Sequence, residues 1–160
     1  HLGSLKNKRV TIIGDIRHSR VARSNLWGLT TMGAKVTLCS PSTLTPRNTQ
    51  FFEGAFWETN LRKAVTDADV VMSLRLQKER MEDSLLPSMR EYRNYFGITG
   101  ELLEHANPSA LIMHPGPINR GVELDSEMAD SKHSVILEQV TNGVAVRMAV
   151  LFLLSGGRHG

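Results

Sequence analysis

A strand, a helix and a second strand follow one another within the first 40 residues, and this succession limits the possible folds more than any other feature of the sequence. Arg9-Val10-Thr11-Ile12-Ile13 is a β-branched run that ends in Gly14-Asp15, which reads as a buried strand running into a loop. From Val21 to Met32 the apolar residues Val21, Leu26, Leu29 and Met32 fall at helical spacing, and Gly33 follows where a helix end favours a left-handed residue. Lys35-Val36-Thr37-Leu38-Cys39-Ser40 then reads as a strand stopped by Pro41. A strand, helix and strand at this spacing form one βαβ unit, which requires a parallel sheet.

The rest of the chain continues the alternation. Val70-Val71-Met72-Ser73-Leu74 and Ala110-Leu111-Ile112-Met113 are predicted as a third and a fourth strand. A helical turn is expected over Leu61 to Val65, and helices are expected over about 84–95 and 99–106. Residues 134–154 are helical in period, with a break expected at Asn142-Gly143, and Thr43 to Thr59 has no regular pattern. The fold class is therefore α/β, an open, mostly parallel sheet with helices on both faces, in a Rossmann-like three-layer αβα arrangement. Residues 1–160 are expected to form a single domain.

Composition excludes several function classes. The only cysteine, Cys39, rules out an internal disulfide and points to a reducing, cytoplasmic setting. The longest apolar run, Val144 to Leu154, is interrupted by Arg147, so no membrane span is expected. The start, His1-Leu2-Gly3-Ser4, has neither an initiator Met nor a signal pattern, and a piece of a longer chain is expected. A formal charge of +3 spread along the chain makes no phosphate-binding face, so nucleic acid is not an expected partner. The cations are mostly arginine, the residue suited to gripping planar anions in two-toothed fashion.

In open parallel sheets ligands bind beyond the carboxyl ends of the strands, so the loops there are the places to search. After the first strand comes Gly14-Asp15-Ile16-Arg17-His18-Ser19-Arg20, which opens a helix whose free N–H groups favour an anion, with Arg17 and Arg20 adding charge. After the third comes Arg75-Leu76-Gln77-Lys78-Glu79-Arg80, where Arg75 and Gln77 are suited to a second carboxylate, or where the charges simply pair in solvent. After the fourth comes His114-Pro115-Gly116-Pro117, whose prolines restrict the backbone and leave the Pro115 and Gly116 carbonyls as acceptors. His114 reads either as a general base or as a hydrogen-bonded structural residue. The first loop has only Gly14 where a dinucleotide fingerprint needs three glycines, and the six histidines lack metal-ligand spacing; no metal and no cofactor is expected.

These three loops in this order closely resemble the C-terminal half of the aspartate carbamoyltransferases, a resemblance that extends to Asn142-Gly143 and Arg147. It implies the aspartate-binding half of a two-domain catalytic chain whose carbamoyl-phosphate domain, with its Ser-Thr-Arg-Thr-Arg motif, is not in this sequence. The implied reaction moves the carbamoyl group of carbamoyl phosphate to L-aspartate, giving N-carbamoyl-L-aspartate and phosphate for pyrimidine synthesis. By motif position Arg20, Arg75 and Gln77 would hold aspartate, and Pro115, Gly116 and Pro117 would meet carbamoyl phosphate. The implied partners are a homotrimer of catalytic chains, alone or in a larger assembly with regulatory or dihydroorotase-like chains. His18 and Gly116 stand where some relatives carry Tyr and Leu. The sister ornithine carbamoyltransferases carry Ser-Met-Gly and His-Cys-Leu-Pro in the second and third loops, and this chain has neither. The alternative reading is a non-catalytic anion-binding or regulatory module built on the same fold.

Overall fold

The computed structural model describes residues 1–76 and 88–156. Five parallel strands, β1 (Arg9–Ile13), β2 (Lys35–Cys39), β3 (Ala55–Glu58), β4 (Val70–Ser73) and β5 (Leu111–Met113), form one sheet in the order β3-β2-β1-β4-β5. The helices are α1 (Arg20–Thr31), α2 (Leu61–Val65), α3 (Met89–Phe96), α4 (Gly100–Leu103), α5 (Ser126–Ala129) and α6 (Ile136–Leu154).

Strand alternation sorts the apolar residues into two cores. Val10 and Ile12 of β1, Val36 and Leu38 of β2, and Val70 and Met72 of β4 pack with Ala22 and Leu26 of α1 on one face. Ile13, Cys39, Val71 and Ile112 pack with Ala64 and Val65 of α2 and Leu102 of α4 on the other. Thr11, which points to that second face, donates its hydroxyl to the Ala64 carbonyl at 2.6 Å, so a polar residue in β1 is satisfied by the helix covering it. The expected αβα layering is the one observed.

Asp69 ties the beginnings of β1 and β4 together. Its carboxylate accepts from the Arg9 N–H at 2.9 Å and from Lys8 Nζ at 3.1 Å. Burial favours the neutral acid, but these donors outweigh it, and the carboxyl sits below its ordinary value. A group lowered by folding stabilises above its unfolded pKa, and that contribution is lost as pH falls through the folded value. Asp69→Asn is therefore expected to flatten the acid limb of a stability-versus-pH curve below about pH 4, which urea melts at stepped pH would read.

Cys39 is fully buried at the end of β2, and burial, with the Glu58 charge adding to it, pushes its thiol up to about 12. It is a core residue with almost no thiolate at neutral pH. Iodoacetamide is expected to leave it unmodified in the native protein and to alkylate it once denaturant is added, as intact mass would show.

Three elements differ from the sequence reading. β3 lies in the stretch expected to be irregular; it is an edge strand whose Phe56 and Trp57 remain exposed, so no buried alternation announced it. The helix expected over 99–106 is only the four-residue α4, because backbone from His105 onward bonds toward the sheet connection at Asp67 and Ala68 instead. No break occurs at Asn142-Gly143: α6 runs through, since nothing crowds Gly143 and an interior glycine costs a helix only about 1 kcal/mol. Unbroken, α6 has 19 residues of hydropathy 1.4, long and apolar enough to cross a membrane by length and composition alone, which corrects the expectation that no segment reaches that length. Ile136 is buried at its start, while most of its other apolar residues, such as Leu137, Met148 and Leu151, are exposed.

Candidate functional site

Chain order reverses between β1 and β4: β2 and β3 lie on one side of β1, β4 and β5 on the other. At such a switch point the loops leaving the two strands turn opposite ways and open a crevice beyond their carboxyl ends. Gly14 makes the divergence possible. Its φ is +131°, and a Cβ there would stand 3.1 Å from Leu74 Cβ.

The loop after β1 is held by its own residues. Ile16 is fully buried, and the Asp15 carboxylate accepts from the His18 backbone N–H at 3.1 Å and faces His18 Nδ1 at 2.9 Å. This closed turn delivers Ser19 as the helix cap, its hydroxyl accepting from the Ala22 N–H at 3.0 Å. Arg20 therefore leaves the first turn of α1 directly at the crevice mouth. His18 serves here as the partner of Asp15.

A cavity of about 410 Å³ lies over the switch point, lined by Asp15, His18, Ser19, Arg20, Val21, Leu74, Arg75, Pro115, Gly116 and Arg147. All three loops singled out in the sequence thus contribute to one concavity. Of the residues expected to bind substrate, Arg20, Arg75, Pro115 and Gly116 line it. Pro117 does not; it is exposed, joined to Gly116 through a cis peptide bond. Arg17 is outside the lining as well, its backbone N–H bonded to the Leu44 carbonyl at 2.9 Å. Gln77 lies outside the described residues.

The sequence reading matched the cavity's third arginine, Arg147, to the family but gave it no place in the site. Arg147 comes from α6, nearly the whole chain away from Arg20, and the signal for it was a lone cation in the apolar run from Val144 to Leu154. Among the described residues neither Arg20 nor Arg147 is in an ion pair, and the carboxylate in the lining, Asp15, is turned to His18. A larger groove, about 610 Å³ between α2, α3 and α4, contrasts with it: its cations Arg62 and Arg93 are paired with Glu101 and Asp125. Three arginines beside backbone acceptors suit a small molecule with more than one anionic group and a polar centre between them.

His114 is not placed as a general base. It is fully buried, its Nδ1 accepting from the Gly116 N–H at 2.8 Å and its Nε2 lying 3.3 Å from Glu123 Oε1, so both ring nitrogens are engaged inside the protein. No group of His, Cys, Asp and Glu able to hold a metal ion occurs among the described residues.

The comparisons agree with this geometry. The model of the aspartate/ornithine carbamoyltransferase Asp/Orn-binding domain matches residues 6–154. The aspartate carbamoyltransferase catalytic subunit of Roseiflexus sp. (strain RS-1) is 57% identical over 160 residues, covering 97% of this chain and 50% of that protein. That of Dehalococcoides mccartyi (strain CBDB1) is 52% identical over 163 residues, covering 99% and 49%. Among solved structures, the ornithine carbamoyltransferase of Pyrococcus furiosus superposes with a TM-score of 0.83 at 29% identity, covering 98% of this chain and 52% of that one. The chain spans about half the length of the curated relatives it matches. With the family model matching residues 6–154 and the family's fold reproduced, the chain belongs to the aspartate/ornithine carbamoyltransferase family, in which it corresponds to the Asp/Orn-binding domain.

Proposed function

We propose that this chain is the aspartate-binding half of an aspartate carbamoyltransferase, which transfers the carbamoyl group of carbamoyl phosphate to L-aspartate in pyrimidine synthesis. The observation that carries the reading is the cavity bringing Arg20, Arg75 and the Pro115-Gly116 backbone to one place. Two guanidinium groups from different loops suit the two carboxylates of aspartate, and Gln77, outside the described residues, is assigned to the same substrate by its motif position alone. Pro115 and Gly116 face the carbamoyl phosphate, and Pro117, outside the cavity lining, follows them in the same motif. With both carboxylates held, the aspartate amine is aligned on the carbamoyl carbon: a C–N bond forms, the C–O bond to phosphate breaks, phosphate leaves, and the amine gives up a proton. Catalysis is then mainly alignment and stabilisation of developing negative charge, with no covalent enzyme intermediate and no cofactor.

Charge also favours aspartate over ornithine. A cavity with three arginines repels the ammonium side chain of ornithine and attracts a second carboxylate. Phosphate release by the full-length protein is expected with aspartate and not with ornithine. Activity with ornithine alone would overturn the choice of acceptor, and none with either would favour the non-catalytic, anion-binding reading.

The same proposal accounts for α6. Apolar on most sides and exposed, it fits a surface covered by the carbamoyl-phosphate half of a longer chain, in a cytoplasmic homotrimer whose active sites are shared between subunits. The larger assembly with regulatory or dihydroorotase-like chains belongs to this reading too. The 160-residue segment alone is expected to give no turnover in the phosphate-release assay, and measurable turnover would refute the need for a second half.

A further inference from the structure

Glu123 is a glutamate with no solvent exposure, ten residues beyond the end of β5. Burying a carboxylate is costly, and a position that only needed filling would be better served by an apolar side chain. Here the cost is incurred where the two halves of the site meet. Glu123 Oε1 accepts from the Asn119 backbone N–H at 2.7 Å and faces His114 Nε2 at 3.3 Å. His114 Nδ1 in turn accepts from the Gly116 N–H at 2.8 Å. An N–H aimed at Nδ1 requires a lone pair there, so the ring proton is on Nε2 and points to the carboxylate. The chain Glu123–His114–Gly116 therefore closes the loop upon itself from inside.

The same residues bind the loop to its surroundings. The Asn119 side chain donates to the Leu76 carbonyl at 3.2 Å, next to Arg75, and the His114 N–H donates to Gln139 of α6 at 3.0 Å. The Glu123 carbonyl accepts from the Ile98 N–H at 3.1 Å and the Ser73 hydroxyl at 3.4 Å, the latter at the end of β4. Arg75 and Gly116 line one cavity, and one buried carboxylate lies behind both.

We infer that Glu123 and His114 are positioning residues for carbamoyl transfer: through the Gly116 N–H and the Asn119 link they set the Pro115-Gly116 backbone against Arg75. The inference rests on the proposed function and deepens it. Because the pair acts on the loop facing the carbamoyl group rather than on the arginines facing aspartate, its loss reads out in kcat more than in KM for aspartate.

The test uses the full-length protein. Glu123→Leu, close in size but unable to accept from either Asn119 or His114, is expected to lower kcat at least tenfold with KM for aspartate within about twofold of the parent, while Glu123→Gln, whose amide oxygen can still accept from both, stays near the parent. His114→Ala is expected to lower kcat similarly. His114→Asn, whose amide oxygen can take the place of Nδ1 and accept from Gly116, is expected to recover part of it. A kcat within twofold of the parent in both Glu123→Leu and His114→Ala, or a His114→Asn no better than His114→Ala, overturns the positioning role while leaving the functional reading intact. An unsubstituted full-length protein that does not carbamoylate aspartate overturns the functional reading, and this role with it.

Discussion

Arg75→Ala in the full-length protein is expected to lower kcat/KM for aspartate by about 10- to 150-fold, the value of a charge-assisted pair worth about 1.5–3 kcal/mol. Arg75 follows β4 with one residue between, and β4 is buried over its whole length, so the strand holds its backbone rigidly while the half-buried side chain lines the cavity. A fixed fork contributes direction as well as charge, and direction decides whether the aspartate amine meets the carbamoyl carbon. Arg75→Lys is accordingly expected to recover little, because an ammonium cannot hold a carboxylate at two points. Arg20→Ala belongs to the same class, and since both arginines line one cavity and are proposed to hold one substrate molecule, the double variant is expected to depart from the sum of the two free energies. Steady-state kinetics at saturating carbamoyl phosphate, with the melting temperature as a folding control, measures all of these. Parent-like kcat/KM in folded Arg75→Ala would remove Arg75 from the aspartate site.

Gly14→Val is expected to be the most destabilising single change near the site. Two costs coincide there: a backbone at φ +131°, which side-chain-bearing residues avoid, and a Cβ placed 3.1 Å from Leu74 Cβ, 3.3 Å from the Leu74 carbonyl and 3.3 Å from the Tyr92 hydroxyl. Backbone strain of this kind costs about 1–3 kcal/mol and overpacking about 1–3 kcal/mol more. At roughly 2–4 °C per kcal/mol for a domain of this size, the melting temperature falls by about 5–20 °C. Calorimetry of the full-length protein reads this, and a shift of only 1–2 °C would show that the β1 and β4 ends separate freely. Gly116 offers a contrast. Its φ is +70° but nothing lies within 4 Å of an added Cβ, so a side chain there meets backbone strain alone, about 1–2 kcal/mol.

Much of the architecture was legible because it is local. The β-branched runs at 9–13, 35–39 and 70–73, the helical spacing from Val21 to Met32, and Gly33 at a φ of +82° are each specified by neighbours in the chain, and each forms as read. A succession of such units leaves few topologies open, so a parallel sheet, and loops gathered on one rim, could be inferred without coordinates. The motifs in those loops pointed to the family that the comparisons then identified. Where burial did not mark an element, the reading failed: β3 exposes its aromatics at the sheet edge, and α6 passes through a glycine that looked like a stop.

What tertiary structure alone decided is which distant residues share a space. Arg20 and Arg147 are separated by most of the chain, and no periodicity links them; they meet because chain order reverses at β1 and because α6 packs beside β5. In the sequence His114 is open to reading as a base, although a His ending a buried strand is more often structural, since a ring nitrogen's role depends on what faces it. Only the fold places Gly116 N–H against one nitrogen and Glu123 against the other. The sequence by itself determined the elements and the chemistry available in each loop, because hydrophobic spacing and side-chain type act over a few residues. The cavity, its third arginine and the buried carboxylate behind it depend on packing between elements far apart in the chain, which local spacing does not encode.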